Sequence, residues 1–385
     1  MKILQLISST GFYGAEAVVL GLTQQLAAMG CPVVIGIFRN SENSGRELAD
    51  RATAVNSQVE WIDCKGRADV QTVCRIREIL DRDEIDIIHS HGYKSHIYSW
   101  FSARNTSCRL IATCHGHYTR SNGNRRLDEL KLRGYRLLEH QILRHFDRVI
   151  CVSDEMFNEL KGEGIAASKL RVIANGINVD DFESAVPARD LETMKLGRRA
   201  VGIVARLVER KGHRELLRAA KEVINQHAEV IFFIIGDGSL RNDFALLVRE
   251  YGLVSNVIFT GPRSDMPQVY AALDIVALPS HAEGVPIVVI EGMAAGRAVI
   301  ASRVGAIPNM IVQGETGLLV EPRDHVSLRN GLVRLLHDSK LRQSLGEGAN
   351  RVARQRYSCS AMASRYLAEY RQASDPNEAL TAAVI

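Results

Sequence analysis

Short apolar runs alternate with longer stretches of helical periodicity from one end of the chain to the other. KILQLIS, VVIGIF, VEWID, DIIHS, RLIATC, RVICVS and LRVIA come first; AVGIVA, VIFFIIG, NVIFTG, DIVALP, AVIAS and GLLV follow after an interruption. A run that is apolar on both faces belongs in a parallel sheet covered on both sides, and the intervening helical stretches supply the cover. Two such series predict two doubly wound α/β domains. The interruption, ESAVPARDLETMKLGRR (183–199), is charged, contains Pro187 and lacks a strand pattern, so the linker is expected there. That places an N-terminal domain over 1–185 and a C-terminal domain over 186–359. From about Ser360 the pattern AMASRYLAEYRQA reads as a helix, and the C-terminal segment 360–385 is expected to pack back on the N-terminal domain before its end frays.

Composition narrows this only a little. A chain of 385 residues exceeds what one core usually organises. With 46% hydrophobic and 24% charged residues it can fill ordinary cores. The formal net charge of +4 is too small to imply nucleic acid, yet leaves room for local attraction to anionic substrates or surfaces. The cysteines are scattered and never spaced C-x-x-C, which suggests reduced thiols of a cytosolic protein and no zinc site. MKILQLISST reads as a first buried strand, being too short and too quickly polar for a signal peptide. No run of about 18 apolar residues offers a membrane span.

Ligands of open α/β sheets bind beyond the carboxyl ends of the strands. The residues that follow each strand are therefore the candidates, and the cleft between the domains is their expected meeting place. DIVALP ends at Pro279, the loop SHAEGVP follows, and a helix starting with Pro286 as its first residue runs to near Gly296. The free N–H groups around Gly284 to Val288, with the positive end of the helix dipole, would suit a diphosphate. Glu283 stands just before this mouth, where a carboxylate accepts from sugar hydroxyls. Glu291, more than a turn further on, is placed for the vicinal hydroxyls of a ribose. Taken alone, a capping acid and a solvated helix glutamate explain the pair equally well.

Other strand ends add to the picture. In GIVARLVERKGH (202–213) the strand ends at Ala205; Arg206 as a fork and Lys211 as a point charge can converge on one anion, with Gly212 turning the chain into a helix. Exposed basic residues at such a place otherwise serve solubility. RLIATC delivers His115 and His117; H-G-H without nearby cysteine or carboxylate ligands suits zinc poorly, and a hydrogen-bonding histidine beside a substrate suits it better. His89 and His91 follow another strand as packing or cleft-lining residues. Gly11 and Gly14 precede an amphipathic helix opened by Glu16, but without the G-x-G-x-x-G spacing of a dinucleotide fingerprint. GDGS (236–239) is a tight turn after VIFFII. Asp81 and Asp83 resemble a metal-holding pair but lie at the opposite edge of the sheet, so a metal role is rejected. Residues 120–148 carry many arginines interleaved with leucines, a basic amphipathic pattern that either rests on an anionic membrane surface or forms a solvated face.

In order and spacing, these pieces resemble glycosyltransferase family 4, the group 1 retaining glycosyltransferases of GT-B architecture, over essentially the whole chain. The carriers are YGAE (13–16), CHGH (114–117), VSD (152–154), ANGIN (174–178), ARLVERKG (205–212), GDGS (236–239), PSHAEGVPIVVIEGMAAG (279–296) and RVGAIPNMIVQGETGLLV (303–320). The resemblance implies two Rossmann-like domains facing across a cleft, acceptor-binding first and donor-binding second. It makes Arg206 and Lys211 the diphosphate clamp, Glu283 the binder of donor-sugar hydroxyls and Glu291 that of the ribose. It also implies backbone contacts from Gly284, Val285 and Ile287, Gly14 near the phosphate, His115 beside the sugar, and Gly238 in the turn near the nucleoside. TGPRSDMP (260–267) is expected to border the base, with Arg263 in reach of it. Tyr13, Ala306 and Asn309 depart from the residues common in the family, none of them in the clamp.

The function so implied is transfer of a sugar from a nucleotide-diphosphate sugar to a saccharide or lipid-linked acceptor, with a UDP-sugar favoured and neither metal nor other cofactor. Assembly of surface polysaccharide or lipopolysaccharide would place the protein in the cytoplasm, peripheral at the inner face of the membrane. The alternatives are a non-catalytic GT-B subunit that binds glycans or a partner, for which a broken clamp would be expected, and a GT-B nucleotide-sugar epimerase.

Overall fold

The computed structural model describes residues 1–9, 11, 14–39, 45–65, 69–115 and 137–374. Two compact units make up the chain: one runs from Met1 to Gly176 and takes in the chain from Cys359 onward, the other from Ile177 to Ser358.

The sheet of the first unit contains β1 (Ile3–Ser8), β2 (Val33–Arg39), β3 (Gln58–Asp63), β4 (Ile87–His91), β5 (Arg109–Cys114), β6 (Arg148–Cys151) and β7 (Leu170–Val172). Its order is β3-β2-β1-β4-β5-β6-β7 and every pairing is parallel. Around it lie α1 (Gly14–Ala28), α2 (Arg46–Ala54), α3 (Val70–Arg82), α4 (Tyr93–Ala103) and α5 (Asp154–Gly162). The period-2 geometry of a strand explains why β1 carries apolar residues on both faces. Leu4 and Leu6 enter a core with Phe38, Ile76 and Ile79, while Ile3 enters another with Val18, Leu22 and Tyr366. Gln5 is the polar interruption in this run, and it is fully buried. Asp69 and Ser153 cap α3 and α5 by accepting from the N–H groups of Gln71 and Met156.

The C-terminal helix (Cys359–Ser374) belongs to this unit. Met362, Tyr366, Tyr370 and Ala373 follow one another at helical spacing, and this face is buried against α1. Gly21 permits the close approach, since an added Cβ would lie 2.7 Å from Cys359 Sγ.

In the second unit β8 (Arg199–Val204), β9 (Val230–Ile235), β10 (Val257–Gly261), β11 (Ile275–Leu278), β12 (Ala298–Ser302) and β13 (Leu318–Val320) form a parallel sheet of order β10-β9-β8-β11-β12-β13. Its helices are α6 (Val179–Glu183), α7 (Arg189–Lys195), α8 (His213–Gln226), α9 (Arg241–Glu250), α10 (Met266–Ala272), α11 (Ile287–Ala294), α12 (Ile307–Met310), α13 (His325–His337) and α14 (Ser339–Tyr357). All six residues of β9 are buried, as a central strand covered on both faces requires.

The boundary between units falls between Gly176 and Ile177, not at 185/186, and the stretch 183–199 is not a free linker. Its residues 189–195 form α7, which buries Leu191 completely, and the Ala188 N–H donates to the Gln268 carbonyl at 3.0 Å. Two short helices with one buried apolar residue apiece leave too little periodicity to show through so charged a composition.

Strand order reverses between β1 and β4 in the first unit and between β8 and β11 in the second. Loops leaving the carboxyl ends at such switch points diverge to opposite faces and leave a crevice.

Candidate active site

In the second unit the loops that leave β8 and β11 are fastened to each other. Residues Glu209–Lys211 form a 3-10 turn that ends in Gly212, at φ 72°. A side chain there would collide with the Pro279 carbonyl, so glycine is required both for conformation and for space. The His281 N–H donates to the Arg210 carbonyl at 2.8 Å. These contacts bring Lys211 onto the β11 loop, where its Nζ lies 2.6 and 2.8 Å from the two carboxylate oxygens of Glu283. Ser280 Oγ donates to Glu283 Oε1 at 2.6 Å. The lysine and glutamate side chains are 16% and 6% exposed, which makes this a largely desolvated pair.

The same loop is braced from its other side. Gly305, at φ 54°, packs on the Glu283 carbonyl too closely for any side chain, and the Ala306 N–H donates to the Gly284 carbonyl at 3.1 Å. Pro286 is the N-cap of α11, one residue before the first helical position expected for it; its φ of −77° suits either place. Among the described residues no side chain caps the helix, so the N–H groups of Ile287 and Val288 remain the orphan donors of its first turn. An added Cβ on Gly284 would meet nothing within 4 Å, which leaves its backbone open to a ligand. Val285 is partly exposed beside it. The helix stops at Gly296 (φ 64°) with Arg297 N–H bonded back to the Gly292 carbonyl, a left-handed C-terminal cap.

Arg206 is exposed and, among the described residues, forms no ion pair or side-chain hydrogen bond. Its loop is shaped by the GDGS turn. A Cβ on Gly238 would come within 2.5 to 2.8 Å of the Leu207 backbone, while Leu207 N–H donates to Asp237 O at 2.9 Å and Leu240 N–H to Leu207 O at 3.0 Å. Gly238 therefore acts on the loop that carries Arg206. Glu291 is partly exposed, and the fully buried Tyr270 donates its hydroxyl to Glu291 Oε2 at 2.8 Å. Burial pushes the Glu291 carboxyl above its ordinary range, and the Tyr270 bond opposes this.

Arg263 has carboxylate partners that the sequence did not indicate. Its guanidinium is forked onto two carboxylates, with Nε and Nη2 on Asp265 at 2.8 and 2.6 Å and the remaining donors on Asp190. These pairs hold α7 against the start of α10 and engage four of the five guanidinium N–H groups, so Arg263 has a structural part in the fold.

The first unit carries a buried chain of polar groups at its own switch point. Gln5 Nε2 donates to Thr23 Oγ1 at 3.0 Å, Gln5 Oε1 lies 3.1 Å from His91 Nε2, and His91 Nδ1 lies 2.9 Å from His115 Nε2. A second chain runs beside it: Tyr370 OH lies 2.7 Å from His89 Nδ1, His89 Nε2 2.7 Å from Thr113 Oγ1, and Thr113 2.9 Å from Tyr366 OH. Burial pushes His115 down to about 4 and His91 well below the usual imidazole value, so both rings are neutral at pH 7. Gly14 opens α1, and Ser9 Oγ donates to the Gly11 carbonyl at 2.6 Å.

Lys211, Glu283, Gly284 and the α11 mouth thus form one constellation, with Arg206 in the adjoining loop, whereas His115 and Gly14 belong to the first unit. Ser280 and Tyr270 were not singled out by the sequence: a serine in a loop and a tyrosine in an apolar helix carry no signal of their own. Gln5 did carry one, as a polar residue inside an apolar strand. Tyr13, His117 and the part of the basic segment up to residue 136 lie outside the described residues. Within the remainder, Arg148 opens a strand and is paired with Glu369 at 3.0 Å, so the expected basic helix does not extend to 148. Asp83, at the opposite edge of the sheet, is engaged by Lys2 and Arg82.

The site thus stands at the strand ends of the second of two parallel α/β units, a lysine–glutamate pair beside the start of a helix. Comparison with known proteins supplies the family. The description "Glycosyl transferases group 1" matches residues 190–352 and "Glycosyltransferase Family 4" matches residues 12–181. A D-inositol 3-phosphate glycosyltransferase of Corynebacterium diphtheriae is 30% identical over 279 residues, which are 69% of this chain and 65%, somewhat under two thirds, of that one. An Escherichia coli UDP-Gal:alpha-D-GlcNAc-diphosphoundecaprenol alpha-1,3-galactosyltransferase is 28% identical over 284 residues, covering 71% and 72% of the two chains. In fold, HepE of Anabaena, solved in complex with UDP, superposes with a TM-score of 0.78 at 21% identity over 96% of this chain and 99% of its own. The chain belongs to the family 4, group 1 glycosyltransferases.

Proposed function

We propose that this protein transfers a sugar, with retention at the anomeric carbon and without a metal ion, from a UDP-sugar to a saccharide or lipid-linked acceptor used in cell-surface polysaccharide or lipopolysaccharide assembly. The observation that carries the reading is the Lys211–Glu283 pair beside the free donors of α11. A nucleotide sugar reacts when the bond from C1 to the diphosphate oxygen breaks, leaving a cation-like sugar and a strongly negative leaving group. Lys211, the unpaired Arg206 and the N–H groups at the start of α11 supply positive charge where that leaving group develops, the task a divalent cation performs elsewhere. Glu283 accepts from sugar hydroxyls, Glu291 from the ribose, and the backbone of Gly284, Val285 and Ile287 meets sugar and phosphate. The acceptor oxygen forms its bond to C1 on the face the diphosphate leaves, and its proton passes to a leaving phosphate oxygen. Gly14 and His115 act toward phosphate and sugar.

A UDP donor is favoured because HepE was solved with UDP and the E. coli relative is named for UDP-Gal. The lipid-linked acceptor, and with it a place at the inner face of the cytoplasmic membrane, is favoured by the diphosphoundecaprenol in the latter name. The test is incubation with UDP-, GDP- and ADP-sugars in the presence and absence of lipid-linked and free saccharide acceptors, with EDTA in parallel. Product with the anomeric configuration of the donor, formed only with acceptor and unchanged by EDTA, is expected. Conversion of the donor without acceptor, or no turnover of any donor, would overturn the reading.

A further inference from the structure

The buried chain Gln5–His91–His115 has a direction. Gln5 turns its amide nitrogen to Thr23, so the oxygen facing His91 Nε2 is an acceptor, and that ring nitrogen must carry the proton. In a neutral imidazole the other nitrogen then bears a lone pair. His91 Nδ1 accordingly accepts from His115 Nε2 at 2.9 Å, which leaves His115 Nδ1 unprotonated. That atom is itself buried and, among the described residues, has no hydrogen-bond partner. A buried acceptor without a donor costs free energy that a hydroxyl entering from a ligand would recover. The ring planes of His91 and His115 are inclined by 27° with centroids 5.2 Å apart, the edge-to-edge arrangement of an N–H···N bond, so the second imidazole is also fixed in orientation.

We propose that His91, oriented by Gln5, is a positioning residue that holds His115 as its Nε2–H tautomer and so presents Nδ1 as a ready acceptor for a hydroxyl of the transferred sugar. This rests on the reading of His115 as the histidine beside that sugar. Gln5 comes from the first strand, His91 from the end of the neighbouring strand β4, and His115 from the residue after β5. The proton order is thereby set inside the sheet, away from solvent, and delivered at its carboxyl edge. The parallel chain through His89 ends on Tyr366 and Tyr370 of the C-terminal helix and joins that helix to the sheet.

The test is nitrogen-15 NMR of the histidine rings in the full-length protein, coupled to kinetics with the donor found active. In the parent, His115 should show a protonated Nε2 and a bare Nδ1. Asparagine places its carbonyl oxygen near the position of a histidine Nδ1, so His91→Asn should keep the tautomer and most of the rate. His91→Leu should scramble the tautomer and lower kcat about 10- to 100-fold, the scale of other lost orienting partners, with the donor KM little changed. Tyr370→Phe, which touches the second chain, should lower thermal stability and leave the His115 spectrum as it was. Protonation of His115 Nδ1 in the parent would overturn the proposal, since it means that Gln5 and the whole chain run the other way. Equal kcat for His91→Leu and the parent would do the same. If His91→Leu does not fold, the parent and His91→Asn spectra still decide. A parent that turns over no donor defeats the transferase reading alone, because the tautomer is read without substrate.

Discussion

Glu283 receives Lys211 through both carboxylate oxygens, at 2.6 and 2.8 Å, across 72 residues of sequence. Each partner is thereby held where a donor would meet it, and the lysine charge is oriented before any phosphate arrives.

Removing one member of this pair should be felt twice. Lys211→Ala is expected to lower kcat on the order of 10²–10³-fold and to cost about 1–3 kcal/mol of stability by leaving a buried carboxylate without its cation. Combining Lys211→Met with Glu283→Gln should recover part of the melting temperature and none of the rate. Thermal denaturation alongside initial-rate kinetics separates the two effects; a double variant as active as the parent would remove the pair from the chemistry.

Arg206 predicts the opposite pattern. It is exposed and unpaired among the described residues, so Arg206→Ala should leave stability within about 0.5 kcal/mol while donor turnover falls by at least tenfold. Calorimetric UDP binding, weakened in the variant at an unchanged melting temperature, is the expected signature.

Two glycines should respond in contrasting ways. Gly238→Ala forces a methyl against the Leu207 backbone and should lower both stability and donor affinity. Gly284→Ala meets no protein atom within 4 Å, so the free protein should melt as before, and only donor binding should weaken. Melting curves with and without UDP distinguish them.

Tyr270→Phe removes the hydrogen bond that opposes the effect of burial on Glu291. The Glu291 carboxyl should then rise further, so the loss of donor binding on acidification should begin at a higher pH than in the parent. Binding titrations across pH 5 to 8 follow this, and an unmoved acid limb would mean that Glu291 does not act as a carboxylate toward the donor.

Stability should itself be acid-sensitive. Burial holds His115 and His213 at about 4 and His96 at about 3, all below the unfolded value near 6.5. The folded state thus binds fewer protons than the unfolded one, so stability is full above pH 6.5 and is lost as pH falls toward the folded values. Each such histidine contributes up to about 1.4 kcal/mol per pH unit in that window. Urea unfolding at pH 7.5, 6 and 5 should show a steadily falling midpoint, and a flat profile would contradict neutral burial of these rings.

Much of the site was legible because it sits at strand ends, where the alternation of apolar runs and loops marks it. Lys211, Glu283 and the helix from Pro286 lie where the strand pattern stops, and the glycines around them answer to visible constraints. Arg263 shows the limit of such reading. A basic residue after a strand looks like a ligand group, and its pairing with Asp190, 73 residues away and within the supposed linker, has no trace in the sequence. Charge composition hid α7 in the same way that it hid this pair.

What the sequence by itself determined is the class: two parallel α/β units, their strands and longer helices, and the order of glycine-bearing loops at the strand ends. Those features arise from local periodicity, which is written along the chain. Tertiary structure alone decided which distant groups meet, as with Tyr270 on Glu291, Gln5 on His91 and the passage between units at Gly176. Strand order and parallel register set those meetings, and neither is encoded in the alternation of apolar and polar residues within any one segment.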